Sequence, residues 1–373
     1  MWTSKADASL KKGFDDAIEA AYGNGRDGEL ENLSDLFSPA ALDGYQQALL
    51  AGLDGSSDAT IDVAWIDKRP IAKLARSGAG AELGDMMLVV HERDLVGSIR
   101  KSRACLFEVK QSPGETIPPV PVTKGKSTEN QFRILSAWPT LYGLKATGSN
   151  HTYLLQNVDT HPAVTIGGIA AHAWYVAVKP PSKSGAVTAR PWMAAPAVRG
   201  VDFHHTLGDL FQACAQGNSL YHPVTKDMDV GREFVPGHTL QNPPSWDALI
   251  NAIISVCNKY ELPEHLFGPA PGKRYLRGPV RPRVSLALLA GLNGAALANA
   301  LAGTSLAVSA VLCVLFVLYG RRMNRNPYRD FPFWRFDYVR RAMLSRRKHF
   351  PVLIFNVFHG DGEPVKESSP YWN

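Results

Sequence analysis

Asp85, Glu108 and Lys110 are charged residues in apolar company. Asp85 opens the run GDMMLVV, and Glu108 and Lys110 stand near the end of the run ACLFEVKQ. Each run is short and bounded by glycine or charge, which is the length and make-up of a buried strand and not of a helix. Side chains alternate along a strand, so Glu108 and Lys110 share a face. A carboxylate on each of two neighbouring strands, with an ammonium beside one of them, can hold a divalent cation and offset charge on a phosphate. The plain alternative is an ion pair between Glu108 and Lys110 at a strand end, with Asp85 in a turn.

The elements that must position these residues can be read in order. Lys11–Tyr22 sets Phe14, Ala17, Ile18 and Ala21 at helical spacing, with Glu19 off that stripe. Ser38-Pro39 is an N-cap and N1 pair that opens a helix to about Leu53. Thr60–Ile66 is β-branched and bounded by turn residues, hence a strand. The GDMMLVV and ACLFEVKQ strands follow, separated by a charged linker. After a Pro- and Gly-rich loop, Ser127 or Thr128 caps a helix that Pro139 ends and that carries Gln131, Phe132 and Leu135. His151–Gln156 reads as a further strand. The order from Ser38 is helix, three strands, helix, strand, an α/β layout. Farther on, Ala173–Val178 reads as a strand, Leu207–Ala215 and Trp246–Cys257 as amphipathic helices, and Pro351–Phe358 as a short apolar strand.

From Ser38 to Gln156 this order, with Gly84-Asp85 and Glu108-Val109-Lys110, resembles the PD-(D/E)xK nuclease superfamily. The resemblance implies an α/β restriction-endonuclease-like αβββαβ core, here with extra helical elements and a C-terminal apolar helical hairpin. It implies that Asp85 and Glu108, with the carbonyl near Val109, bind Mg²⁺ or Mn²⁺. Lys110 would orient the attacking water and offset charge on the pentacovalent phosphate. Gln131 matches an accessory polar position. Lys124 and Lys126, in the loop before that helix, are candidates for phosphate contact. Many members carry a further acid on the helix before the first strand; Ser38–Leu53 has no Glu, and Glu19 or Glu82 are the substitutes. The implied activity is endonucleolytic or exonucleolytic hydrolysis of DNA rather than RNA, in a setting that suits defence against foreign DNA. The alternative is a catalytically inactive, membrane-tethered binding or sensor protein that keeps the fold.

The chain has 373 residues, 45% hydrophobic and 20% charged, which is room for a full core and more than one domain. Its net charge of +6 is not spread evenly. Lys and Arg outnumber Asp and Glu by 11 to 5 from Arg321 onward, so residues 1–320 are balanced. Lys273–Arg283 holds five bases and no acid, which leaves residues 1–272 acidic. Between these basic stretches Val284–Tyr319 carries no charge, although a helix with one buried face shows charge on the other.

A membrane hairpin turning at Ala302-Gly303-Thr304, with both ends in the cytoplasm by the positive-inside rule, is one reading of that segment. A buried hairpin that joins copies in a homo-oligomer is the other. The aromatic residues Phe331, Phe333, Trp334, Phe336 and Tyr338 among the arginines suit lipid headgroups, so residues 284–348 are the expected membrane contact.

The division expected is 1–37 a helical extension, 38–160 the α/β core, 161–283 an accessory region with a basic linker, 284–320 the apolar segment and 321–373 a basic aromatic tail. The opening residues have no apolar core of a secretory signal, so the expected place is the inner face of the cell membrane. The four cysteines form no ligand pattern, and His204, His205, His222 and His238 read as loop residues. No GxxxxGK[ST] loop or GxSxG elbow occurs.

Overall fold

The structure is a computed structural model that describes residues 2–258, less 4–5, 24, 26–27, 67–69, 75–77, 79, 95–96, 146, 148, 156–172, 182–189 and 239–244, together with 273–277 and 350–359. The apolar segment 284–320, the aromatic stretch that follows it and Cys313 lie outside the described residues. Within them no helix is long and apolar enough to cross a membrane.

The fold is mixed α/β. Six helices occur among the described residues: α1 (Ala6–Tyr22), α2 (Glu29–Asp35), α3 (Pro39–Gly52), α4 (Lys126–Ala137), α5 (Leu207–Gln216) and α6 (Trp246–Asn258). The early strands are β1 (Asp58–Ile66), β2 (Ile71–Lys73), β3 (Gly80–Glu82), β4 (Met86–Asp94), β5 (Ile99–Gln111), β6 (Leu141–Leu144) and β7 (Ser149–Tyr153). The later ones are β8 (Ala173–Val178), β9 (Trp192–Pro196), β10 (His205–Thr206), β11 (Ser219–His222), β12 (Lys226–Asp229), β13 (Arg232–Glu233), β14 (Lys273–Arg277) and β15 (Phe350–His359). The main sheet runs β10-β9-β8-β5-β4-β15-β1-β14, with β13 paired to β5; β3-β2-β6-β7 form a second sheet and β11-β12 a hairpin.

The alternation of side chains divides the main sheet into two buried faces. Met86, Leu88 and Val90 of β4, with Cys105, Phe107 and Val109 of β5, meet α1, α3 and α5. Met87 and Val89, with Ala104 and Leu106, meet α4 and α6. On the first face Phe14 stacks on Phe355 at 5.6 Å and meets Phe211 edge-on at 5.8 Å. So α1, expected as an extension, fills the core. Its crossing with α3 is close because Gly44 faces Ala17: a Cβ on Gly44 would lie 2.5 Å from the Ala17 Cβ.

Several expectations change. The Ser38 side chain does cap α3, accepting from the Ala41 N–H at 3.3 Å. By contrast α4 starts at Lys126 after Gly125, whose φ is 134°, with no side-chain cap from Ser127 or Thr128. The strand expected at His151–Gln156 is β7, in the second sheet; the strand that follows α4 into the main sheet is β8, parallel to β5. The charged linker between the two runs is itself strand, since β4 and β5 continue to Asp94 and back from Ile99. Antiparallel pairing satisfies its backbone, and its charges find partners of their own. Strand β15 lies between β4 and β1, parallel to the first and antiparallel to the second.

Candidate metal centre

Asp85 is fixed by the residue before it. Gly84 has φ 114°, where side chains are strained, and a Cβ there would stand 2.8 Å from the Phe107 carbonyl oxygen. The close approach lets the Asp85 N–H donate to that carbonyl at 2.8 Å. In return Asp85 Oδ2 accepts from the Val109 N–H at 3.0 Å. Two bonds therefore lock the start of β4 to the end of β5, and period two turns Asp85, Glu108 and Lys110 toward the face covered by α4.

The three side chains meet. Lys110 Nζ is 3.7 Å from Asp85 Oδ2 and 2.5 Å from Glu108 Oε1. The same ammonium donates to the Val109 carbonyl at 2.9 Å. It is 3.7 Å from Glu29 Oε1, on α2. With Glu108, the contact is one of charge without hydrogen-bond geometry: both Glu108 oxygens are buried with no donor. Glu108 is fully buried and Asp85 almost so. Burial first, then the Asp85 carboxylate, pushes the Glu108 pKa up to about 8, against the pull of Lys110. Burial alone would lower the Lys110 pKa, but Asp85, Glu108 and Glu29 outweigh it and hold the ammonium above the ordinary lysine value.

Burial without hydrogen-bond donors is costly for a carboxylate, and at Glu108 the Lys110 ammonium is the cation that offsets the cost. Asp85, Glu108 and the Val109 carbonyl are hard oxygen donors gathered around the Lys110 ammonium, and hard oxygens are the donor type that Mg²⁺ or Mn²⁺ takes. Among the described residues no group of three His, Cys, Asp or Glu side chains is placed to hold a metal ion, so Glu29 does not extend this set to three side chains.

Of the other residues singled out by sequence, Gln131 is buried on α4 next to Phe132, whose ring lies 6.3 Å from that of Tyr175. Lys124 and Lys126 are exposed; Lys124 is in the loop, whereas Lys126 is the first residue of α4. Glu19 is used elsewhere, accepting from the Arg190 N–H at 3.3 Å, and Glu82 sits on β3 opposite Ile71. Of the histidines expected in loops, His205 is on β10 and His222 on β11. His222 spends both ring nitrogens on the backbone, at Asp202 O (3.1 Å) and the Val224 N–H (3.2 Å).

Two residues near the site escape sequence reasoning. Glu29 belongs to a short helix with no side-chain cap, and only the fold brings it to Lys110. Tyr175 is opposite Glu108 in the β5–β8 pairing, and its buried hydroxyl has no partner. Burial, then Glu108, raises its pKa. Its only signal was its place in the apolar run AWYVAV. The arrangement thus offers two carboxylates and a carbonyl for a cation, a lysine to meet negative charge, and a buried phenol alongside. No protein-family model, curated protein or solved structure matches the chain.

Proposed function

We propose that the chain is a Mg²⁺- or Mn²⁺-dependent nuclease that hydrolyses phosphodiester bonds of DNA. The observation that carries this is the convergence of Asp85 and Glu108 on Lys110, with both Glu108 oxygens buried and undonated. The chain order α3, β1, β4, β5, α4, β8 supports a restriction-endonuclease-like core with β8 as its fourth strand and with β15 inserted between β1 and β4 in the sheet.

Asp85, Glu108 and the Val109 carbonyl would hold the cation, which supplies positive charge that polarises the scissile phosphodiester. Lys110 orients the attacking water and offsets the charge that develops on the phosphate. Glu29, with Asp85 and Glu108, keeps the ammonium protonated. Lys124 and Lys126 meet the substrate backbone at the start of α4. Tethering at the inner face of a membrane through residues 284–348 and action against foreign DNA complete the reading.

The test is plasmid DNA with the purified protein and Mg²⁺, beside EDTA and Lys110→Ala. Cleavage should need the metal and the lysine; cleavage that survives Lys110→Ala removes the assigned site. A second reading is a non-catalytic sensor with the same fold, favoured by the acidic balance of residues 1–272. Calorimetric Mg²⁺ binding that vanishes in Asp85→Ala, together with absent cleavage of every nucleic acid tried, would establish it instead.

A further inference from the structure

The Lys110 ammonium touches every group that the nuclease reading gives to the cation. It is 3.7 Å from Asp85 Oδ2 and 2.5 Å from Glu108 Oε1, and it donates to the Val109 carbonyl at 2.9 Å. A further carboxylate oxygen, Glu29 Oε1, stands 3.7 Å from it. Of the three acids Glu29 is the one that meets water, with 27% of its side chain exposed against 2% for Asp85 and 0% for Glu108. Its helix is well anchored. α2 packs against β5, Leu33, one turn on from Glu29, is buried in the core, and Asn32 Nδ2 donates to the Gly28 carbonyl at 2.8 Å.

From this geometry we infer that Glu29 is a positioning residue, which receives the Lys110 ammonium when Asp85 and Glu108 take up a divalent cation. The inference rests on the metal reading proposed above. An ammonium in contact with both carboxylates and with the Val109 carbonyl already fills the cation's role there, and like charges about 4 Å apart repel strongly where water is excluded. Lys110 must therefore give way. Its flexible four-carbon stem allows this, and the exit toward Glu29 is short. Charge-assisted N–H···O bonds are about 2.8 Å long, so Nζ needs to move only about 1 Å to close its 3.7 Å contact with Glu29. The move also takes the ammonium from two buried acids to one that meets water, which eases its desolvation. Charge points the same way. With all four groups ionised, three carboxylates and one ammonium sum to −2, so a divalent cation leaves the cluster neutral; without Glu29 the same sum would be +1. Glu29 acts through Lys110 and not as a ligand, since among the described residues no three His, Cys, Asp or Glu side chains are placed to hold one metal ion.

The experiment is calorimetric Mg²⁺ titration of the full chain, with Glu29→Gln and Lys110→Met made singly and together. Lys110→Met should bind Mg²⁺ more tightly than the unaltered chain, because no ammonium has to leave. Glu29→Gln should weaken binding about tenfold, the usual size of an effect transmitted through a neighbouring group. In the Lys110→Met background the same change should have no effect, and Glu29→Asp, which keeps the charge, should retain much of the affinity. Equal weakening by Glu29→Gln in both backgrounds makes Glu29 a direct ligand and overturns the inference, as does no weakening in either, or looser binding in Lys110→Met. Should Lys110→Met fail to fold, a crystal structure of the unaltered chain with Mn²⁺ reads the move directly. Lys110 Nζ within hydrogen-bond distance of Glu29, with its Glu108 contact open, supports the inference; an ammonium still on Glu108 beside a bound ion overturns it while the metal reading stands. An unaltered chain that binds no divalent cation brings down the metal reading itself and the inference with it.

Discussion

The strand pair β4–β5 buries polar side chains at both ends, and the two ends treat them differently. At the end near the turn, His91 Nδ1 and Ser102 Oγ are 2.7 Å apart, and Arg103 reaches the Gly231 carbonyl and Glu233, each at 3.2 Å. Arg93 joins Asn356 at 2.9 Å, and Asn356 donates to Asp62 at 2.9 Å. These charges are spread over four strands and answered locally. At the other end Asp85, Glu108 and Glu29 crowd one lysine, and Glu108 keeps two buried oxygens without a donor. The turn end has a buried carboxylate oxygen without a donor as well, Asp94 Oδ2, but there the other oxygen accepts from the Ser98 N–H at 2.8 Å, whereas at Glu108 both oxygens lack a donor. That deficit marks the end at which, in the proposed nuclease, an external cation would complete the structure.

The sharpest way to break this comparison is to remove the central cation at each end. Lys110→Ala should lower DNA cleavage by about 10³-fold, as loss of a group that meets transition-state charge does. Arg103→Ala should lower thermal stability yet leave cleavage per folded molecule nearly unchanged. Equal losses of cleavage would merge the two ends into one structural network.

The next effect is an acid response at the turn end. Burial, and then Arg93, lower the His91 pKa to about 3, so the folded protein holds a neutral ring where the unfolded chain takes a proton near 6.5. Its contribution to stability is whole above 6.5 and is lost as pH falls toward 3. At pH 4 the loss is on the order of 3 kcal/mol. Chemical denaturation of His91→Gln should show a flatter acid limb over that window, and an unchanged limb would mean the ring is not buried neutral.

What the sequence disclosed and what it hid follow the range of the interactions. Asp85, Glu108 and Lys110 stood out because charge interrupts an apolar run, a local signal that the period of two converts into a shared face. Ser38-Pro39 and the Leu207 and Trp246 helices were legible for the same reason: caps and helical spacing act within a few residues. Glu29 and Tyr175 reach the site through pairings tens of residues away, which no local pattern encodes. The apolar run of β15 announced a strand, but not its insertion between β4 and β1. The segment 91–103 hid its strands behind charge, because its partners His91–Ser102 and Arg103–Glu233 become visible only once the hairpin closes.

A smaller effect tests how Asp85 is held in place. Gly84→Ala places a Cβ against the Phe107 carbonyl at a φ that alanine resists. The expected cost is about 2 kcal/mol in stability, with weaker Mg²⁺ binding by calorimetry because Asp85 shifts. Unaltered metal affinity would show that Asp85 does not depend on that turn.

The smallest change in stability should come from Glu108→Gln, and its sign is the point. Replacing a well-served buried acid leaves its former donors orphaned and destabilises the fold. Glu108 has no such donors, and its charge is disfavoured by burial and by Asp85. The neutral amide removes that cost but weakens the contact with Lys110, two opposing terms that nearly cancel. Stability at neutral pH without metal should therefore hold or rise by about 1 kcal/mol, whereas Mg²⁺ binding is lost. A side chain whose neutral isostere leaves the fold intact but abolishes cation binding is kept for the cation; a marked fall in stability would instead make Glu108 a structural partner of Lys110, like the pairs at the turn end.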